Sequence, residues 1–93
     1  MYTDKILLIT GGTGSFGNAI SKRMVKLGVK EIRIFSRDEK KQDDMRRKYA
    51  DKRIKFYLGD VREYDSIVNA IRQVDYIFHS AAFKHVDILE ENV

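Results

Sequence analysis

Residues 10–17 read Thr-Gly-Gly-Thr-Gly-Ser-Phe-Gly and follow directly on the run Lys5-Ile6-Leu7-Leu8-Ile9. A short buried strand therefore runs into a glycine loop, and a helix opens from the loop. Gly12, Gly14 and Gly17 satisfy G-x-G-x-x-G; Gly11, Gly14 and Gly17 satisfy G-x-x-G-x-x-G. The early glycines allow backbone angles that a β-carbon forbids and let the chain approach a pyrophosphate closely. Gly17 lets the helix pack tightly on the strand. The helix N-terminus offers its amides and its positive end to phosphate. Alone, the glycine spacing is weak evidence. Placed between a strand and a helix it predicts a dinucleotide site, against the alternative of a glycine turn with no ligand.

Strand and helix patterns alternate along the rest of the chain. Residues 5–10 form the first strand and residues 15–27 the first helix, with a stripe of Phe16, Ile20, Met24 and Leu27 and a stop at Gly28. Residues 31–36 form a second strand, 38–49 a mostly polar helix, and 55–59 a third strand. Residues 64–71 carry Tyr64, Ile67, Val68 and Ile71 at helical spacing. Residues 75–79 form a fourth strand, and another helix starts from Phe83. Strands separated by helices predict an α/β fold with a parallel sheet and right-handed crossovers. The expected strand order is 3-2-1-4, with helices on both faces. The switch point then lies between strands one and four, with the glycine loop and His79-Ser80-Ala81-Ala82 on either side of it.

At 93 residues the chain makes at most one small domain. It has no cysteine, which excludes disulfides and thiolate metal sites and fits a reducing compartment. No run approaches the roughly 18 apolar residues of a membrane span, and no signal peptide opens the chain, so a cytoplasmic protein is expected. His79 and His85 lack the partners of a zinc site, and no metal is expected. The net charge of +4 is concentrated in residues 37–55, where nine lysines and arginines face five acids. Because the signs are interspersed, this reads as a solvated helix rather than a nucleic-acid surface.

The end of the second strand chooses between NAD and NADP. An Asp or Glu there would bond the ribose 2′-hydroxyl. Here Ser36 holds that place and Arg37 follows. A hydroxyl beside a guanidinium suits a 2′-phosphate, and Lys40 or Lys41 adds charge one turn into the helix. In the alternative, Arg37 is merely exposed and Asp38 takes the hydroxyl. Asp60, after the third strand, is placed to accept from an adenine amino group, with Val61 against the ring. Asp60 and Glu63 also have capping-box spacing, and the two roles are compatible. Ala81 and Ala82 are small, as needed where backbone passes along a dinucleotide.

Four stretches together resemble the extended short-chain dehydrogenase/reductase family: residues 9–17, Ile34-Phe35-Ser36-Arg37-Asp38-Glu39, Gly59-Asp60-Val61-Arg62, and His79-Ser80-Ala81-Ala82-Phe83-Lys84-His85-Val86. Within it the match is to the branch of UDP-N-acetylglucosamine 4,6-dehydratases of capsule and flagellin-glycan synthesis. The first stretch identifies only the superfamily; the Ser-Arg-Asp-Glu and Ala-Ala-x-Lys-His-Val segments are more specific. Asp87 and Val93 stand where the family usually has proline.

The resemblance implies a Rossmann fold whose cofactor contacts come from Gly11, Thr13, Gly14, Ser15, Phe16, Gly17, Ser36, Arg37, Asp38, Lys41, Asp60, Val61, Ala81, Ala82 and Lys84. It implies NADP as cofactor and a nucleotide-sugar substrate; the open edge of strand four and the thinly covered second face of the sheet predict self-association into a homo-oligomer. Lys84 reads equally as a residue on the substrate side of the cofactor or as an exposed lysine at a helix start. The family's catalytic Tyr-x-x-x-Lys is not found: none of Tyr2, Tyr49, Tyr57, Tyr64 and Tyr76 has lysine four residues on. Residues 1–93 therefore read as the N-terminal, nucleotide-binding part of one domain, without catalytic or substrate-binding parts and inactive alone. A related nucleotide-sugar epimerase or reductase, a non-catalytic NADP sensor and a nucleic-acid binder are the competing readings.

Overall fold

The computed structural model describes residues 2–11 and 13–79. Ile6–Thr10 (β1) is buried at every position and lies inside a four-stranded parallel sheet of order β3-β2-β1-β4. Glu31–Ser36 is β2, Ile54–Leu58 is β3 and Tyr76–His79 is β4. The connecting helices are α1 (Ser15–Lys26), α2 (Glu39–Tyr49) and α3 (Tyr64–Ile71). This is the Rossmann arrangement expected from the alternating pattern. The helix expected from Phe83 lies outside the described residues.

Side chains alternate across the sheet as the pleat requires. Leu7, Ile9, Ile32, Ile34 and Ile54 face α1 and α2 and close on Met24 and Met45. Leu8 and Phe35 face the other way and meet Ala70 and Ile67 of α3. Arg33 lies on this second face and is buried. Its Nη1 donates to the carbonyls of Ala70 at 3.0 Å and Arg72 at 2.6 Å, and its Nε to Glu31 at 2.5 Å. A β2 cation thus takes up carbonyls at the C-terminal end of α3, where the helix dipole favours it.

The first helix ends as the sequence suggests. Gly28 has φ 80°, its amide donates to Val25, and Val29 donates to Met24, which is a Schellman stop. Its inward face differs from the expected stripe. Phe16 and Leu27 are exposed, and the buried residues are Gly17, Ser21 and Met24. Small residues face the sheet because they let the helix lie closer to it. β3 begins one residue early, because Ile54 pairs with Ile32 and joins the core. β4 is exposed at Tyr76, Ile77 and His79. Within the described residues β4 pairs on one side only, with β1.

Candidate functional site at the carboxyl ends of the strands

β2 and β4 flank β1 on opposite sides, so strand order reverses at the carboxyl end of β1. In the register, Thr10 stands beside His79, and the Thr10 hydroxyl bonds His79 Nδ1. Open α/β sheets hold ligands in the crevice at such a point. The glycine loop leaves from there. Gly11 has φ 66°, the left-handed region where glycine is favoured, and its amide donates to Phe35 O at 2.7 Å. Gly12 lies outside the described residues.

Gly14 is the N-cap of α1, with φ −81° and ψ −174°. That backbone is open to any residue. A β-carbon there would come no nearer than 3.9 Å to another atom of the described chain, the oxygen of Gly11. Among the described residues nothing requires this glycine, and its bare surface is room for something else. The N-cap residue is a glycine and makes no side-chain cap, and the first turn of α1 carries no acid. The positive end of a twelve-residue helix dipole thus faces the loop with no carboxylate of that turn beside it, and the residues present fit a pyrophosphate. Thr13 is half-buried, Ser15 and Phe16 are exposed, and Gly17 is buried.

The loop is tied to both helices on its face of the sheet. Asn18 Nδ2 donates to the carbonyls of Thr13 at 3.1 Å and Gly14 at 2.9 Å. Asn18 Oδ1 accepts from the Tyr49 hydroxyl at 2.9 Å. A groove between loop and α2 is lined by Thr13, Ser15, Asn18, Lys41 and Lys48.

At the end of β2, Ser36 is buried and its Oγ accepts from Gln42 Nε2 at 3.0 Å. The same amide donates to Tyr57 O at 2.8 Å, so α2 clasps the ends of β2 and β3 together. Arg37 is exposed and lies 3.6 Å from Asp60. Asp38 caps α2, accepting from the amide of Lys41 at 2.9 Å, and Lys41 itself is exposed.

At the end of β3 the backbone is crowded. A β-carbon on Gly59 would lie 2.9 Å from Phe35 Cζ and 2.9 Å from Ser66 Cβ. Asp60 follows and is gripped by its neighbour. Oδ1 accepts from the Arg62 amide at 2.9 Å, and Oδ2 from Arg62 Nη2 at 2.7 Å. The Arg62 side chain and amide, with Arg37 beyond, hold the Asp60 carboxyl well below the usual carboxylate range. Asp60 does not cap α3. The helix starts at Tyr64 with Glu63 as its N-cap, so the capping-box spacing is not used as such. Val61 is exposed beside this cluster.

Two groups thus gather on one rim: the glycine loop with α1 in one, and Ser36, Arg37 and Asp60 in the other. Ala81, Ala82 and Lys84 lie outside the described residues. Asn18, Gln42 and Tyr49 are brought to the rim without having been singled out in the sequence. Among the described residues no group of three His, Cys, Asp or Glu side chains gathers to hold a metal, and no helix is long and apolar enough to cross a membrane.

UDP-glucose 4-epimerase of Rickettsia bellii (strain OSU 85-389) is 60% identical over 97% of this chain. The enzyme of that name from Rickettsia prowazekii (strain Madrid E) is 57% identical over the same share. The chain spans 28% of the length of each. The solved structure of Pen from Bacillus thuringiensis is 38% identical, with a TM-score of 0.84 over 99% of this chain and 29% of that one. Epimerase Mth375 of Methanothermobacter thermautotrophicus, 24% identical, shares the fold with a TM-score of 0.68, over 84% of this chain and 23% of its own. The family described as "Polysaccharide biosynthesis protein" matches residues 7–93. By that match, the chain belongs to the polysaccharide biosynthesis protein family.

Proposed function

We propose that residues 1–93 form the dinucleotide-holding part of a Rossmann domain in an enzyme that acts on a nucleotide sugar. The observation that carries this is the open backbone of Gly14, at the start of α1 and beside the switch point. The loop residues and first turn of α1 hold the pyrophosphate. Ser36 and Arg37 receive the 2′-phosphate of NADP, with Lys41 adding charge from α2. Asp60 and Val61 border the adenine, and Asp38 acts first as a helix cap. Ala81, Ala82 and Lys84 complete the site in this reading. The bound cofactor supplies reversible hydride transfer at the sugar.

Two reactions fit such a domain, and both begin by oxidising the C4 hydroxyl of the sugar. In a UDP-N-acetylglucosamine 4,6-dehydratase the C4 ketone acidifies C5–H, water leaves across C5–C6, and the hydride returns to C6. In a UDP-glucose 4-epimerase the hydride returns to C4 from the opposite face. The four sequence stretches support the first reading, and the names of the Rickettsia relatives support the second.

Calorimetric titration of the chain with NADP and NAD tests cofactor binding; absence of binding for both would end the dinucleotide reading. The longest natural reading frame carrying the chain is then incubated with each sugar. A UDP-N-acetylglucosamine product lighter by one water supports the dehydratase, and conversion of UDP-glucose to an isomer supports the epimerase.

A further inference from the structure

Tyr49 is the last residue of α2, and its ring packs partly buried against the core beneath α1. Beyond it the chain turns at Ala50, which has φ 47° and returns its amide to Arg46 O at 2.9 Å. The ring is therefore anchored at a helix end, while its hydroxyl reaches across to α1. There it meets Asn18, whose amide group is almost fully engaged. Nδ2 carries two hydrogens and has two carbonyl acceptors, Thr13 O and Gly14 O. Oδ1 takes the tyrosine hydrogen at 2.9 Å, and the backbone carbonyl of Asn18 shares it at 3.3 Å. A reversed amide would set Oδ1 against two carbonyl oxygens, so the carbonyls fix one orientation and leave Oδ1 to accept from the hydroxyl.

The consequence falls on the loop. A trans peptide holds its C=O and N–H in one plane, pointing in opposite directions. The Gly14 carbonyl accepts both the Asn18 backbone amide, as the first bond of the helix, and Asn18 Nδ2, so the amide of Ser15 points the other way, out of the helix start. Fixing these peptide planes sets the direction of the donors that a phosphate would use before any phosphate arrives, and this lowers the ordering cost of binding.

We propose that Tyr49 is a positioning residue for anion binding at the glycine loop. It acts through Asn18 to hold the peptide planes at Thr13 and Gly14, and so makes α2 part of the phosphate grip. This rests on the dinucleotide reading for the identity of the anion, but not for the existence of the tether.

The test is made on the intact protein with Tyr49→Phe, Asn18→Ala and the double variant. NADP affinity is measured by calorimetry, and amide hydrogen exchange by NMR in the absence of nucleotide. Tyr49→Phe, which keeps the ring and its packing, is expected to weaken NADP binding about three- to tenfold, the scale of one hydrogen bond. Exchange at Gly14 and Asn18, whose amides donate to the Gly11 and Gly14 carbonyls, is expected to quicken while β1 and β2 keep their protection. The double variant should lose clearly less than the sum of the two single losses, because Tyr49 acts mainly through the Asn18 side chain. Wild-type affinity in Tyr49→Phe, or losses that simply add in the double variant, would overturn the proposal. If the unaltered protein binds neither NADP nor NAD, the dinucleotide reading fails by itself. The exchange comparison then decides the tether: unchanged loop exchange in Tyr49→Phe overturns it, and faster exchange confined to the loop supports it.

Discussion

Gln42 Nε2 donates to Ser36 Oγ at 3.0 Å, so the hydroxyl that ends β2 is held from α2 and keeps its own hydrogen to give. A hydroxyl constrained in this way suits an acceptor such as a phosphate oxygen. Arg37, exposed one residue on, supplies the charge.

From this pair NADP should bind more tightly than NAD. Calorimetry with both nucleotides, on the chain and on Arg37→Ala, measures the gap. The substitution should narrow it by about 1.5–3 kcal/mol, the scale of a hydrogen bond to a charged group. Equal affinities in the unaltered protein would remove the 2′-phosphate assignment.

Gly14→Val should abolish dinucleotide binding and leave the fold in place. The backbone at Gly14 is ordinary and the nearest atom to a β-carbon is 3.9 Å away, so the branched side chain enters ligand space rather than protein space. Loss of a good N-cap typically costs about 1 kcal/mol. Circular dichroism and calorimetry on one sample check both halves; a folded variant with undiminished affinity would refute the pyrophosphate site.

The strand-and-helix order and the sheet order were legible because apolar periodicity and the glycine loop are local signals. Residues 31–36 and 64–71 fall on β2 and α3 without adjustment. The tethers were not legible. Asn18 and Tyr49 are 31 residues apart and become partners only once α1 and α2 lie side by side. Gln42 reads as one more polar residue in a polar helix until β2 and β3 bring Ser36 and Tyr57 beneath it. Arg33 reads as an interruption in an apolar strand, and only the packing of α3 shows what it bonds. The stripe on α1 misled for a related reason: bulk suggests burial, but close helix–sheet approach selects Gly17 and Ser21.

Arg33→Ala should cost about 1.5–3 kcal/mol by chemical denaturation, from lost charge-assisted hydrogen bonds to Ala70 and Arg72. The damage should be uneven. Amides of α3 should lose exchange protection while those of β1 and β2 retain theirs, and uniform loss would mean that Arg33 does not hold that helix end.

The Asp60 carboxyl should stay ionised through mild acid. Its folded value is depressed, so the stability it contributes is full above the ordinary value of 3.8 and is lost only as pH falls through the lower folded one. The carboxyl carbon of Asp60, followed by NMR, should not titrate between pH 7 and about 4. Arg62→Ala should bring its titration up toward 3.8, since the Arg62 side chain is the largest cause of the shift. A midpoint already ordinary in the unaltered protein would show that the pairing does not persist in solution.

β1 meets β2 across one helix, but its contact with β4 joins residues as much as 69 apart, as where Ile6 donates its amide to the Asp75 carboxylate. Closing the longer loop costs more chain entropy, so β4 is expected to join after β1, β2 and β3 have assembled. The crevice beside Thr10 is then the last part of the molecule to come into being, and a nucleotide finds no place in the folding transition state. NADP should slow unfolding and leave the folding rate as it was. Stopped-flow kinetics with and without nucleotide would register this, and faster refolding in its presence would put β4 in place before the barrier.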